Sequence, residues 1–346
     1  MIPALIMVAE RLPLTPAGKV DRRALANLLD KTGHTDTATI PRTDAERRLT
    51  AIWERVLGRT GLGIDDDFFE AGGNSLAAIE VLAAVRREFD VSVAVLELYR
   101  TPTVRELAER LAHGSREVEG PSYVRYNRGA ARTVFCFPPV ADADGLVYGR
   151  LAAELPSWQL CGLQFAGDGR DSATAHADVI QAVQPHGPYT LFGYSGGGNL
   201  AFAAARELER HGERVASLVL LDSYYRERLT PLTAGEKQEI VDQQTCNAAT
   251  LRALGEGSLR GDLVERMSAY LDHLSGHIDE GMIDAEIRLI RAAGAAGRGD
   301  GDPWQRATRG RFVEYHGAGT HDEMLDVRHL RENAGRIAPL LDLRRP

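Results

Sequence analysis

Cysteine is scarce in this chain: Cys136, Cys161 and Cys246 are the only three in 346 residues. So few, unevenly spaced and set in or near apolar segments, they exclude a disulfide framework. Each reads as a small buried hydrophobe in a reducing compartment. Long apolar runs are missing too. Met1 to Val8 is apolar but too short to span a bilayer, is broken by Pro3 and has no basic stretch before it. A soluble, cytoplasmic protein with no membrane partner is therefore the expectation. Positive charge is in short supply as well: the net charge is −8 and no concentrated basic face is visible, which argues against nucleic acid as a partner. What remains, 44% apolar and 26% charged residues, is ordinary for globular protein, and the length suits two or three folded units.

The most informative stretch is Tyr189 to Ala205, Tyr-Thr-Leu-Phe-Gly-Tyr-Ser-Gly-Gly-Gly-Asn-Leu-Ala-Phe-Ala-Ala-Ala. An apolar strand-like run meets a glycine-rich corner and then an alanine-rich helical segment. This is the pattern of a nucleophile elbow, Gly193-x-Ser195-x-Gly197. A serine on so sharp a turn leaves no room for side chains two residues before and after it, and it sits beside the free N–H groups of a helix. The motif alone occurs by chance; its flanking strand and helix strengthen it. Apolar runs at 133–137, 160–165, 189–194, 216–221, 287–290 and 312–316 read as strands, and helical patterns fall at 145–155, 176–183, 199–210 and 323–341. Such alternation predicts a mostly parallel sheet covered on both faces, and with the elbow an α/β-hydrolase.

A serine hydroxyl needs a base, and the base needs a carboxylate to orient it. In the hydrolase order both follow the serine. Asp222 ends the 216–221 strand and would face the same crevice as Ser195; its bland alternative is a turn cap. Among ten histidines, His321 stands in the glycine-containing loop 317–325 between the last strand and the last helix, where a mobile turn can carry an imidazole over the sheet. His316, a strand-end residue, is the weaker alternative. An oxyanion formed at Ser195 needs two donors. The Gly196 N–H is one, and Val140 is the other, being the first residue with an N–H after the prolines of Phe137-Pro-Pro-Val140. His273 and His277 have metal-like i, i+4 spacing without a third ligand nearby in sequence, so no metal is expected and they read as a surface pair on a lid.

The front of the chain is organised differently. Residues 31–42 and 114–122 are polar, small-residue and proline-containing, and read as linkers. Thr43 with Glu46 and Thr103 with Glu106 are capping boxes opening amphipathic helices. Between them lies Asp65-Asp-Asp-Phe-Phe-Glu-Ala-Gly-Gly-Asn-Ser75-Leu, followed by a helical run to Phe89. Ser75 there is either a plain N-cap or a hydroxyl at a phosphate-favouring helix N-terminus.

That string resembles the attachment site of peptidyl carrier proteins, Asp-x-Phe-Phe-x-x-Gly-Gly-x-Ser-Leu. The resemblance implies a small four-helix carrier over 43–113, with 4'-phosphopantetheine joined to Ser75 by a phosphopantetheinyl transferase. Residues 1–30, with Leu12-Pro-Leu-Thr-Pro-Ala-Gly-Lys-Val-Asp-Arg-Arg-Ala-Leu25, resemble the C-terminal tail of a nonribosomal peptide synthetase adenylation domain. Lys19 would be its catalytic lysine, and a tail alone carries no adenylation activity. Residues 123–346 resemble the type I thioesterases that end such synthetases. The likeness rests on Phe-x-Phe-Pro-Pro-Val140, Leu-Phe-Gly-Tyr-Ser195-Gly-Gly, Leu-Asp222-Ser-Tyr and Gly-x-x-His321-x-x-Met-Leu. It implies Ser195, Asp222 and His321 as a triad, Val140 and Gly196 as oxyanion donors, and a helical lid over 224–281. Upstream synthetase domains are the implied partners and a peptidyl thioester the implied substrate, released by hydrolysis or macrocyclisation. An editing hydrolase and a non-catalytic docking module are the rival readings. Gly198 departs from the family toward extra glycine, which is expected to weaken the first turn of its helix by about 1 kcal/mol relative to alanine.

Overall fold

Thr43 and Glu46 form the reciprocal cap that the sequence signals: the Thr43 hydroxyl accepts the Glu46 N–H at 3.1 Å and the Glu46 carboxylate accepts the Thr43 N–H at 2.8 Å. Helix α1, Asp44–Leu57, runs from this cap to Gly58, whose φ of +63° ends it. Helices α2 (Ser75–Phe89), α3 (Val95–Arg100) and α4 (Val104–Ala112) follow, α4 opened by the second box, Thr103 with Glu106. The short α3 is the one carrier helix whose position was not readable from periodicity. Trp53 and Phe68 meet edge to face, 5.0 Å apart, at the centre of a core that also takes Leu49, Ile64, Val81, Val85 and Leu107.

The computed structural model describes residues 39–73, 75–91, 93, 95–112, 123–143, 145–166, 172–247, 258–294 and 302–342. The tail with Lys19, most of the first linker, the second linker and nearly all of the 294–302 loop lie outside them. Two units are distinguished, Met1–Glu117 and Val118–Pro346.

The second unit is built on a seven-stranded sheet. Its strands are β1 (Tyr123–Tyr126), β2 (Arg132–Phe137), β3 (Trp158–Leu163), β4 (Tyr189–Tyr194), β5 (Val215–Leu221), β6 (Glu286–Arg291) and β7 (Phe312–His316), in the order β1-β3-β2-β4-β5-β6-β7. All neighbouring pairs are parallel except β1 with β3. Central β4 is buried along its whole length and reads as a continuous apolar run because helices cover both faces. Those helices are α5 (Tyr148–Glu154), α6 (Ser172–Val183), α7 (Gly197–Arg210) and α10 (Leu330–Leu341). Between β5 and β6 stand α8 (Ala234–Asn247) and α9 (Ser258–Ser275), in the stretch 224–281 where a helical lid is expected. Among the described residues no helix is long and apolar enough to cross a membrane.

Several boundaries differ from expectation for physical reasons. Strand β1 was missed because it is a four-residue antiparallel edge strand adjoining a polar linker. The helix expected from Gly145 begins at Tyr148, since Gly145 has φ +72° and a Cβ there would lie 2.7 Å from the Leu163 carbonyl. The strand expected to reach Phe165 ends at Leu163, and Phe165 stacks on Tyr270 of α9 instead. The last helix was expected from Glu323 but starts at Leu330, because Thr320 and Glu323 close a separate single turn, His321–Glu323.

Candidate active site

Ser195 follows β4 directly and carries φ +55°, a region that costs a non-glycine residue energy and persists only where its surroundings enforce it. Those surroundings are explicit. The Ser195 N–H donates to Leu221 O at 2.9 Å. A Cβ on Gly193 would lie 2.5 Å from the Gly198 Cα, and one on Gly197 would lie 2.8 Å from the Pro138 carbonyl oxygen. The glycine expected to be a weakness is also required: a Cβ on Gly198 would come within 2.5 Å of the Ser223 Cβ and 2.9 Å of Leu220 Cδ2. At Gly198, α7 packs directly on Leu220 of β5 and on Ser223 just beyond that strand.

The structure brings Ser195, His321 and Asp222 together. The His321 Nε2 lies 2.9 Å from the Ser195 Oγ, and its Nδ1 lies 2.7 Å from Asp222 Oδ2. A carboxylate only accepts, so Nδ1 carries the proton and Nε2 is left to accept from the serine. Asp222 is buried, with φ +44°. Its second oxygen accepts the Ala292 N–H at 3.0 Å. Burial alone would raise this carboxyl, but the hydrogen bonds from His321 and Ala292 outweigh it and hold it below the ordinary carboxylate value.

His321 does not stand on a loose turn. Asn333 on α10, fully buried, accepts the Ala318 N–H at 2.8 Å and donates to the carbonyls of Ala318 and Met324 at 2.8 and 2.7 Å. The Tyr194 hydroxyl donates to the His321 carbonyl, joining the residue before Ser195 to the backbone that carries the imidazole. His316, the alternative, ends β7 exposed, and its carbonyl accepts from Arg336. Neither Asn333 nor Tyr194 was singled out from sequence. Tyr194 had a signal in its adjacency to Ser195; Asn333 had none.

A second cluster holds the Asp222 side. The Arg291 guanidinium pairs with Asp302, donates to Ser223 O at 3.1 Å and lies over the Tyr224 ring at 5.1 Å. The Trp304 indole donates to the same Ser223 carbonyl at 3.0 Å. The carbonyl of Ser223, the residue after Asp222, is thus fixed by groups 68 and 81 positions later in the chain.

Val140 and Gly196 also lie together: a Cβ on Gly196 would be 3.4 Å from Val140 Cγ2. His273 and His277 stack at 5.2 Å and His273 packs on Phe165, so the pair expected at the surface is half buried. Among the described residues no group of three or more His, Cys, Asp or Glu is arranged to hold a metal. Cys136 and Cys161 are free and buried, and burial pushes both thiols up, that of Cys161 to about 11.

In the first unit, the Asp-x-Phe-Phe-x-x-Gly-Gly string is a knot. Asp67 Oδ1 accepts the Phe69 N–H at 2.8 Å, Phe68 is buried, and a Cβ on Gly73 would lie 2.5 Å from the Phe68 ring. The knot ends at Ser75, the first residue of α2, whose first turn carries no acidic side chain. A helix N-terminus without a carboxylate fits a phosphodiester on that residue.

Residues 132–332 match the thioesterase domain family, and residues 47–111 match the phosphopantetheine attachment site family. Tyrocidine synthase 3 of Brevibacillus parabrevis is 32% identical over 361 residues, covering 99% of this chain and 6% of that protein. Surfactin synthase subunit 3 of Bacillus subtilis (strain 168) is 33% identical over 340 residues, covering 96% of this chain and 26% of that protein. This chain therefore spans about a quarter or less of these relatives. Among solved structures, the thioesterase domain SrfTE, described with the cyclisation of the lipopeptide antibiotic surfactin, is similar with a TM-score of 0.59 and 32% identity. The match covers 66% of this chain and 98% of that one.

Proposed function

We propose that this chain, which belongs to the thioesterase domain family and carries a phosphopantetheine attachment site ahead of that domain, releases a peptidyl chain from its own carrier through Ser195. The observation that carries this reading is the 2.9 and 2.7 Å relay from Ser195 through His321 to Asp222, in one chain with the carrier motif at Ser75. The prosthetic group, when bound, supplies the thiol that holds the acyl chain as a thioester. Ser75 would hold the group, installed by a phosphopantetheinyl transferase, and upstream synthetase domains would deliver the acyl chain in the cytoplasm.

Ser195 Oγ attacks the thioester carbonyl while its proton passes to His321 Nε2, and the Asp222 carboxylate stabilises the imidazolium. The negative oxygen is met by the N–H groups of Val140 and Gly196, each such donor being worth about 100- to 1000-fold in rate. His321 then gives its proton to the departing sulfur as the carbon–sulfur bond breaks, and the acyl group is left as an ester on Ser195. Water, or a hydroxyl or amine of the acyl chain itself, then attacks with His321 as base. The ester bond breaks, Ser195 regains its proton, and the product leaves as an acid or a ring.

The test is intact-protein mass spectrometry after loading Ser75 from an acyl-coenzyme A with a phosphopantetheinyl transferase. Wild type loses the acyl mass with time and Ser195→Ala keeps it. Loss from Ser195→Ala at the wild-type rate refutes the reading. The product mass, with or without the elements of water, separates hydrolysis from cyclisation.

A further inference from the structure

Two consecutive prolines follow β2, Pro138 and Pro139, so the peptides that join Phe137 to Pro138 and Pro138 to Pro139 carry no N–H. Their carbonyl oxygens still require donors once buried. In the structure both donors are tyrosine hydroxyls: Tyr148 of α5 donates to Phe137 O, and Tyr270 of α9 donates to Pro138 O at 2.8 Å. Both tyrosines are fully buried, and burial pushes their phenols well above the ordinary value, so each remains a protonated donor. Tyr270 is held in place by Phe165, which stacks on it almost parallel at 4.4 Å.

The Tyr270 hydroxyl reaches the other side of the site as well. It lies 3.4 Å from where a Cβ on Gly196 would sit, beside Leu274 of the same helix at 2.8 Å. One lid side chain thus touches both segments that bear the proposed oxyanion donors. The mechanical link is short. A peptide is planar, so fixing the Pro138 oxygen fixes the Pro139 nitrogen. The Pro139 ring locks φ, here −71°, and leaves a single soft rotation before the Val140 N–H.

We propose that Tyr270 is a positioning residue that couples the lid to oxyanion binding: by holding the Pro138 carbonyl it sets the direction of the Val140 N–H, so the electrophilic half of the site is complete only with α9 seated. This rests on the reading of Ser195, Val140 and Gly196 given above. Lid seating and transition-state stabilisation are then one event, and a substrate that seats α9 badly loses rate rather than affinity.

Tyr270→Phe keeps the ring and its stack on Phe165 and deletes only the hydroxyl. With an acyl N-acetylcysteamine thioester, kcat should fall about 10- to 100-fold with KM unchanged, the signature of an interaction made in the transition state. Affinity for an alkyl boronic acid, which forms a tetrahedral adduct on a serine, should fall by the same factor. Unchanged kcat, or a raised KM with kcat and boronate affinity intact, overturns the proposal and makes Tyr270 a pocket wall. If Tyr270→Phe does not fold, Phe165→Leu removes the stack and leaves the hydroxyl, and a smaller kcat loss with the same KM is required. Ser195→Ala run in parallel separates the two levels: turnover by that variant sinks the underlying reading, whereas full activity of Tyr270→Phe with inactive Ser195→Ala sinks only this one.

Discussion

Replacing Gly198 with alanine sets two effects of opposite sign against each other. Alanine is favoured over glycine in a helix by about 1 kcal/mol, so propensity alone predicts a more stable protein. The new methyl group, however, would lie 2.5 Å from the Ser223 Cβ and 2.9 Å from Leu220 Cδ2, and both residues are fully buried. Neither has room to swing aside, and overpacking of this kind costs about 1–3 kcal/mol. The steric effect wins, leaving a net loss of about 1 kcal/mol and a fall of about 2–4 °C in Tm for a unit of this size. The consequence for turnover is larger, because Ser223 adjoins Asp222 and a displacement of about 1 Å at a catalytic group can cost 100-fold. Thermal unfolding and acyl-thioester turnover measured on the same preparation give both numbers. Adding Ser223→Gly removes the nearer of the struck atoms, leaving the Leu220 contact, and should recover part of the lost Tm, a coupling expected between residues in contact. A raised Tm with wild-type turnover in Gly198→Ala refutes the steric reasoning.

Asp222→Asn keeps the shape and removes the charge that orients His321, so kcat should fall by about 10 000-fold; a loss under tenfold in steady-state assays contradicts the relay. The Asp222 carboxyl is held below its ordinary value in the folded state, so its contribution to stability is full above about pH 4 and is lost as pH falls through the folded value. The gap in Tm between wild type and Asp222→Asn should therefore close on acidification below about pH 4, and a gap independent of pH contradicts this. Asn333→Ala strands the buried Met324 carbonyl and the half-buried Ala318 carbonyl and should cost about 1–3 kcal/mol in denaturant unfolding, with kcat lowered through the His321 turn. In the carrier, Gly73→Ala forces a methyl into the Phe68 ring and should slow phosphopantetheine loading of Ser75 by mass spectrometry; loading at the wild-type rate removes the steric account of the second glycine.

Much of this was legible in the sequence because its signals are local. Thr43 with Glu46 marks a helix start within four residues, and Gly193, Ser195 and Gly197 mark a strand-turn-helix corner within five. The alternation of apolar runs and helical patterns gave the parallel sheet, and chain order narrowed the acid to Asp222 and the base to His321. What escaped has no local period. Tyr270 meets Pro138 across 132 positions, Trp304 meets Ser223 across 81, and Asn333 closes the His321 turn from the far side of a helix start. Each is a single buried polar side chain satisfying a distant carbonyl or amide, and nothing in its own neighbourhood requires it. The extra glycine at Gly198 shows the same limit: helix propensity is local and marks it as a defect, while the packing that needs it lies on another strand.

Release of the acyl chain depends on which hydroxyl attacks the acyl carbon and what activates it. Treating the protein with a fluorophosphonate and mapping the adduct by peptide mass spectrometry asks this most directly. The predicted result is one stoichiometric adduct on the peptide containing Ser195, formed at least 100-fold more slowly by His321→Ala. An adduct on any other residue, or equal labelling of Ser195→Ala, contradicts the account.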